Sequence, residues 1–139
     1  KFMPFSEMSV LSEEFAQCVA HQTDKIVFIT DREKVIAAAG DGLKGIVGKE
    51  ISHSLERILD DRDESLPLAE RSRFIPVVEG MDGADEVKKV EQVRQMIRSN
   101  GQIIGSIIIQ SKDPKYKVGE FEKKVAMVAA EFLGKQITI

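Results

Sequence analysis

Asn100-Gly101-Gln102-Ile103-Ile104-Gly105-Ser106-Ile107-Ile108-Ile109-Gln110, running directly into Ser111-Lys112-Asp113-Pro114, is the stretch that decides the fold. Asn-Gly between β-prone flanks predicts a two-residue hairpin, because a type I′ turn needs positive φ at both central positions. Behind it the side chains are apolar at odd and even positions alike. A strand of that kind is covered on both faces and belongs at the centre of a sheet. Pro114 stops the strand, and an amphipathic pattern follows to the chain end.

Working outward, Val87 to Arg98 alternates loosely and is the natural partner across the turn. Lys25-Ile26-Val27-Phe28-Ile29-Thr30-Asp31 reads as a strand, paired through Asp31-Arg32-Glu33 with Lys34 to Ala39. Phe74-Ile75-Pro76-Val77-Val78 reads as an edge strand, since Pro76 has no N–H to give a ladder. The expectation is a central antiparallel sheet of five to six strands, packed with helices in an α+β domain.

The helices are read from periodicity. Over 6–22, Met8, Leu11, Phe15, Cys18 and Gln22 are spaced 3, 4, 3, 4, and over 118–136 so are Val118, Phe121, Val125, Val128 and Phe132. Ser52 is placed to N-cap a third helix carrying Leu55, Ile58 and Leu59, which runs into the solvated charges Asp60 to Glu64. Leu66 to Glu70 fits one more helical turn. The whole of 1–139 reads as one domain: the terminal helices on one face of the sheet, and a covering segment, Gly40 to Glu70, on the other, with 25–113 as sheet and cover.

The terminal stripes are broader than one sheet face requires, because Val10, Val19, Ala126, Ala129, Ala130 and Leu133 widen them. This predicts a homo-oligomer, a dimer or tetramer, through Met8, Leu11, Phe15, Phe121, Val125, Val128 and Phe132.

Composition narrows the function. A net charge of −3 with 31% charged residues gives no basic footprint for nucleic acid. No apolar run approaches the roughly 20 residues of a membrane helix. One cysteine, Cys18, excludes an intrachain disulfide and a cysteine-built zinc site. Without a signal-like start, the expected compartment is the cytoplasm. The first residue is Lys1, so the chain is expected to be a piece of something longer.

Gly40-Asp41-Gly42-Leu43-Lys44-Gly45 matches G-x-G-x-x-G, but its strand leaves a hairpin, so the glycines read as a loop folded over the sheet. His21 and His53 lack metal-ligating partners at recognisable spacing. Cys18 reads as a small hydrophobe, and Ser106 sits in no nucleophile elbow. No catalytic constellation is present, so the chain reads as a non-enzyme with no cofactor. Alternation places Ile26, Phe28 and Thr30 on one face of their strand, Val27 and Ile29 on the other. A buried Thr30 needs a polar partner. Phe28, Thr30, His53 and Arg94 are therefore the candidate ligand-binding residues, with Arg94 and His53 as anion contacts.

Lys25 to Arg32, the Gly101 to Pro114 block and Val125 to Gln136 together resemble a GAF domain, specifically the C-terminal sensor domain of the stage V sporulation protein T family of swapped-hairpin regulators in spore-forming bacteria. The resemblance spans about Ser6 to Gln136 and rests on the order of weak motifs. It implies a transcription factor whose DNA-binding domain lies upstream, which assembles through its terminal helices and answers to a small effector. The signatures of cyclic-nucleotide, bilin and sulfoxide-reducing GAF domains are missing, so no ligand class carries over. Three functions stay open: a small-molecule sensor, a purely structural oligomerisation module, and a small nucleotide binder using the glycine loop.

Overall fold

The computed structural model describes residues 3–4, 8–40, 43–60, 74–80, 90–113 and 115–138. In chain order the elements are β1 (Met3–Pro4), α1 (Ser9–Thr23), β2 (Ile26–Thr30), β3 (Val35–Ala39), α2 (His53–Asp60), β4 (Gln92–Ser99), β5 (Gln102–Gln110), α3 (Glu120–Gln136) and β6 (Ile137–Thr138). Four strands form one antiparallel sheet in the order β3-β2-β5-β4, and β1 pairs separately with β6.

The turn before β5 has the expected geometry: Asn100 and Gly101 both take positive φ, 52° and 78°. From Gly105 to Gln110 every residue of β5 is buried. Ile107 and Ile109 point into a core under α1 and α3, and Ile108 into a second core under α2. Register slips at two points, between Ile29 and Thr30 on β2 and between Ile97 and Arg98 on β4, leaving Ile36 and Ile104 without counterparts. Each extra residue reverses the alternation, so Ile36 and Ile104 join the helix-side core.

The expected five to six strands are corrected to four among the described residues. Phe74 to Val78 is not a strand. Its backbone is met by Gln92 and Ser52 instead. Gln92 Nε2 donates to the Ile75 carbonyl at 2.9 Å, and Ile75 N–H donates back to Gln92 Oε1 at 3.3 Å. Ser52 donates its Oγ–H to Pro76 O at 2.6 Å and its N–H to Val77 O at 2.7 Å. With the polar groups taken, and no donor on Pro76, nothing drives a ladder. The expected helical turn Leu66 to Glu70 lies outside the described residues.

The terminal helices differ from expectation in which side they bury. α1 begins at Ser9, and Ser6 and Glu7 lie outside the described residues. Ser12, Ala16, Val19 and Thr23 face the sheet. Of the expected stripe, Met8 is buried, Leu11 and Phe15 are half-buried, and Cys18 and Gln22 are exposed. α3 likewise buries Ala126, Ala129, Ala130, Leu133 and Gly134. Close approach is the reason: a Cβ at Gly134 would stand 2.1 Å from the Arg98 carbonyl oxygen. Small side chains let helix backbone rest on strand backbone, while Phe121, Val128 and Phe132 are turned outward. Val118 and Gly119 precede α3, where Glu122 reaches back to accept the Gly119 N–H at 2.6 Å.

Candidate functional site

On the α2 side of the sheet, cross-strand pairing places Phe28 and Thr30 of β2, Ser106, Ile108 and Gln110 of β5, and Gln92, Arg94 and Met96 of β4 on one face. Ile51, Leu55, Leu59, Val77 and Val78 close over it. The cover is held at both ends. Ser52 caps α2 by accepting the Leu55 N–H at 3.1 Å, as its position in the sequence predicts. At the other end Arg32, from the β2–β3 turn, pairs with Asp60 and donates to the Leu59 and Ile103 carbonyls at 3.4 and 3.0 Å. That turn is shaped by Asp31, whose carboxylate accepts the N–H groups of Glu33 and Lys34 at 2.7 and 2.8 Å.

Among the apolar side chains of this face stand two polar clusters, a hydroxyl pair and an Arg94–Gln92–Gln110 network. Thr30 Oγ1 and Ser106 Oγ, both fully buried, lie 2.7 Å apart. One hydroxyl donates to the other, and the second hydrogen remains available to an acceptor. Arg94 donates from Nη1 to Gln92 Oε1 at 2.6 Å, and Gln92 is itself fixed by Ile75 and by Gln110 Oε1 at 3.1 Å. Burial lowers the Arg94 pKa to about 10, which leaves the guanidinium cationic at neutral pH.

Three of the four residues expected to bind ligand, Phe28, Thr30 and Arg94, share this face. His53 does not join them: its side chain is 88% exposed, with Nδ1 4.0 Å from the Glu79 carboxylate. As the first residue of α2 it offers instead its N–H, donated to Glu79 Oε1 at 2.8 Å. Sequence reasoning missed Ser106, Gln92, Gln110 and Arg32. For Ser106 the signal was present, as a lone hydroxyl inside an otherwise apolar central strand.

Among the described residues the two hydroxyls bond to each other and not to a side-chain base, and no group of His, Cys, Asp or Glu is arranged to hold a metal. Gly40, with φ +127°, packs against Ile26 where an added Cβ would come within 3.0 Å of Cα. Asp41 and Gly42 lie outside the described residues. The strand before them, β3, runs antiparallel to β2, so this glycine motif lacks the βαβ setting of a dinucleotide site.

The outer side of the helix layer is a second feature. Val10, Phe121, Val128 and Phe132 are 69%, 56%, 66% and 41% exposed. Phe132 stacks on Phe15 of α1, with ring centroids 5.4 Å apart. Leu11 and Val125 are half-buried beside them, whereas Met8 is fully buried in the protomer's own core. Among the described residues no helix is long and apolar enough to cross a membrane.

Comparison with known proteins agrees with this architecture. Residues 7–138 match the family model described as "Stage V sporulation protein T C-terminal, transcription factor". The chain is 34% identical over 137 residues to stage V sporulation protein T of Bacillus subtilis (strain 168), covering 99% of this chain and 72% of that protein. Among solved structures it is similar to the cofactor-binding GAF domain of the nutrient sensor CodY from Clostridium difficile, with TM-score 0.62 and 13% identity over 88% of this chain and 81% of that one. It is also similar to the A. aeolicus nlh2 GAF domain in an inactive state, with TM-score 0.55 and 15% identity over 97% and 85% of the two chains. At such identities these two matches speak to fold alone. A GAF-like α+β domain thus carries this sequence, and the chain belongs to the stage V sporulation protein T C-terminal family of transcription factors.

Proposed function

We propose that the chain is the non-catalytic regulatory domain of a cytoplasmic sporulation-related transcription factor, binding a small anionic effector beneath α2 and assembling into a homo-oligomer through its terminal helices. A DNA-binding part preceding the domain would carry the contact with DNA. The observation that carries the effector reading is the polar set under an otherwise apolar cover. A cationic Arg94 and a hydroxyl pair with a spare hydrogen sit on the same sheet face, between apolar walls formed by Phe28, Met96 and Ile108. Arg94 is half-buried, and a partly desolvated cation is retained where it meets an anion or completes a network.

The test is thermal unfolding of the chain against a panel of small carboxylates and phosphates. A ligand at about a hundred times its Kd adds about 2.7 kcal/mol to stability. For a domain of this size that is a rise of several degrees in Tm. Arg94→Met should abolish the rise while leaving the protein folded.

The second reading, an oligomerisation module without effector, is favoured by the exposed seam of Phe121, Val128 and Phe132. It predicts no shift from any member of the panel.

A further inference from the structure

The two ends of the described chain meet. β1 runs parallel to β6, with Met3 opposite Ile137 and Pro4 opposite Thr138. β6 continues α3 without a break, and its first residue is held from the sheet, since Ser99 Oγ donates to the Ile137 carbonyl at 3.3 Å. The Ile137 side chain is buried in the helix-side core. One turn earlier, Gly134 rests on the Arg98 carbonyl with no room for a Cβ.

Arg98 and Ser99 close β4, just past the register slip and directly before the Asn100–Gly101 turn. The tip of the central hairpin therefore meets the last turn of α3 backbone to backbone and holds β6, and β6 in turn pairs with β1. Backbone-on-backbone packing has no long side chain to absorb a displacement, so movement of the hairpin tip is passed on to β6. A pair of two-residue strands is also weak enough to open and close.

The matched family is the C-terminal part of a transcription factor, and the Bacillus subtilis relative is longer than the matched region, which covers 72% of it. The polypeptide preceding β1 is thus the route to the rest of such a protein. We infer that the β1–β6 pair is the output junction of the domain: a clip through which the position of the β4–β5 hairpin and of α3 sets the direction in which the preceding polypeptide leaves. The inference rests on the regulator reading for what lies upstream, not on the presence of an effector.

The experiment uses the full-length regulator and two variants. Ser99→Ala removes only the hydroxyl that holds Ile137, and a chain ending at Gln136 removes β6 entirely. Hydrogen exchange is measured over 3–8, over α1 and over β5, alongside affinity for operator DNA. With Ser99→Ala, exchange over 3–8 should rise roughly fivefold, as expected for losing one hydrogen bond of ordinary net strength, with α1 and β5 unchanged. Operator affinity should shift about fivefold or more in both variants, the lower end of ordinary coupling between sites. Unchanged exchange over 3–8 in both variants overturns the clip. A released leader with unchanged operator affinity overturns its role as output. A wild-type protein that binds no DNA overturns the regulator reading itself, and the output role with it.

Discussion

The two faces of the sheet are built on opposite rules. On the helix side, α3 lays a run of small residues against the strands: Ala126, Ala129, Ala130 and Gly134 turn inward beside Leu133, while Phe121, Val128 and Phe132 look away from them. On the α2 side, large residues such as Phe28, Leu55 and Leu59 turn inward, on a sheet face that also carries Thr30, Ser106 and Arg94. The first face is closed by backbone proximity and leaves apolar surface for something outside. The second is closed by a short helix tied down by Ser52 and Arg32, and keeps its polar groups inside. The proposed function divides along the same line: assembly on one side, recognition on the other.

That contrast can be broken most severely at Gly134. An alanine there must push α3 off the Arg98 carbonyl, and overpacking of this kind costs about 3 kcal/mol. The Gly134→Ala chain should melt about 10 °C below wild type by calorimetry. Gly119→Ala, where an added Cβ meets only the Glu122 carboxylate at 3.9 Å, should melt within a degree or two of it.

On the other face the sharper test is a double-mutant cycle. Thr30→Val strands the buried Ser106 hydroxyl and should cost about 2 kcal/mol, and Ser106→Ala a comparable amount. The double variant should recover most of the loss, because no unpaired group remains. Strict additivity in urea denaturation would show that the two hydroxyls do not stabilise each other.

The smallest effect expected is at Glu91. Its carboxylate accepts the Val118 N–H at 2.8 Å and pairs with Lys117 at 3.2 Å, tying the start of β4 to the approach of α3. The Val118 hydrogen bond first, then Lys117, hold its pKa below the ordinary 4.5. A group depressed in the folded state adds stability above its unfolded pKa and loses it as pH falls through the folded one. Wild type should therefore lose stability below about pH 4.5 more steeply than Glu91→Gln, by a modest margin because the group is well solvated. Parallel acid-unfolding curves would remove this anchor from the account.

Much of the fold was legible because local chemistry and tertiary role coincide. Asn100–Gly101 and the apolar run after it locate the central hairpin, and Ser52 locates the start of α2. Alternation along β2 assigns Phe28 and Thr30 to one face and Val27 and Ile29 to the other, as observed. The terminal helices were legible only in part. A 3, 4, 3, 4 spacing of large apolar residues identifies an amphipathic helix but not which side its own sheet occupies. Here Ala16, Val19, Ala126 and Ala129 win that place because they allow closer approach. Phe74 to Val78 misled because its β-branched residues suit a strand, while the Gln92 amide, far away in sequence, occupies Ile75 instead. The Thr30–Ser106 pair depends on register between β2 and β5, which no local pattern encodes. His53 shows the limit of reading a site from a helix start: the residue lies at the cover but its imidazole faces solvent.

The central claim is that the outward seam of α1 and α3 meets a second copy of this chain. Light scattering on wild type and on Phe132→Glu at micromolar concentration tests it most directly. Wild type should scatter as a dimer or larger species, and Phe132→Glu, at a residue 41% exposed in the single chain, as a monomer with native circular dichroism. A wild-type monomer would contradict it.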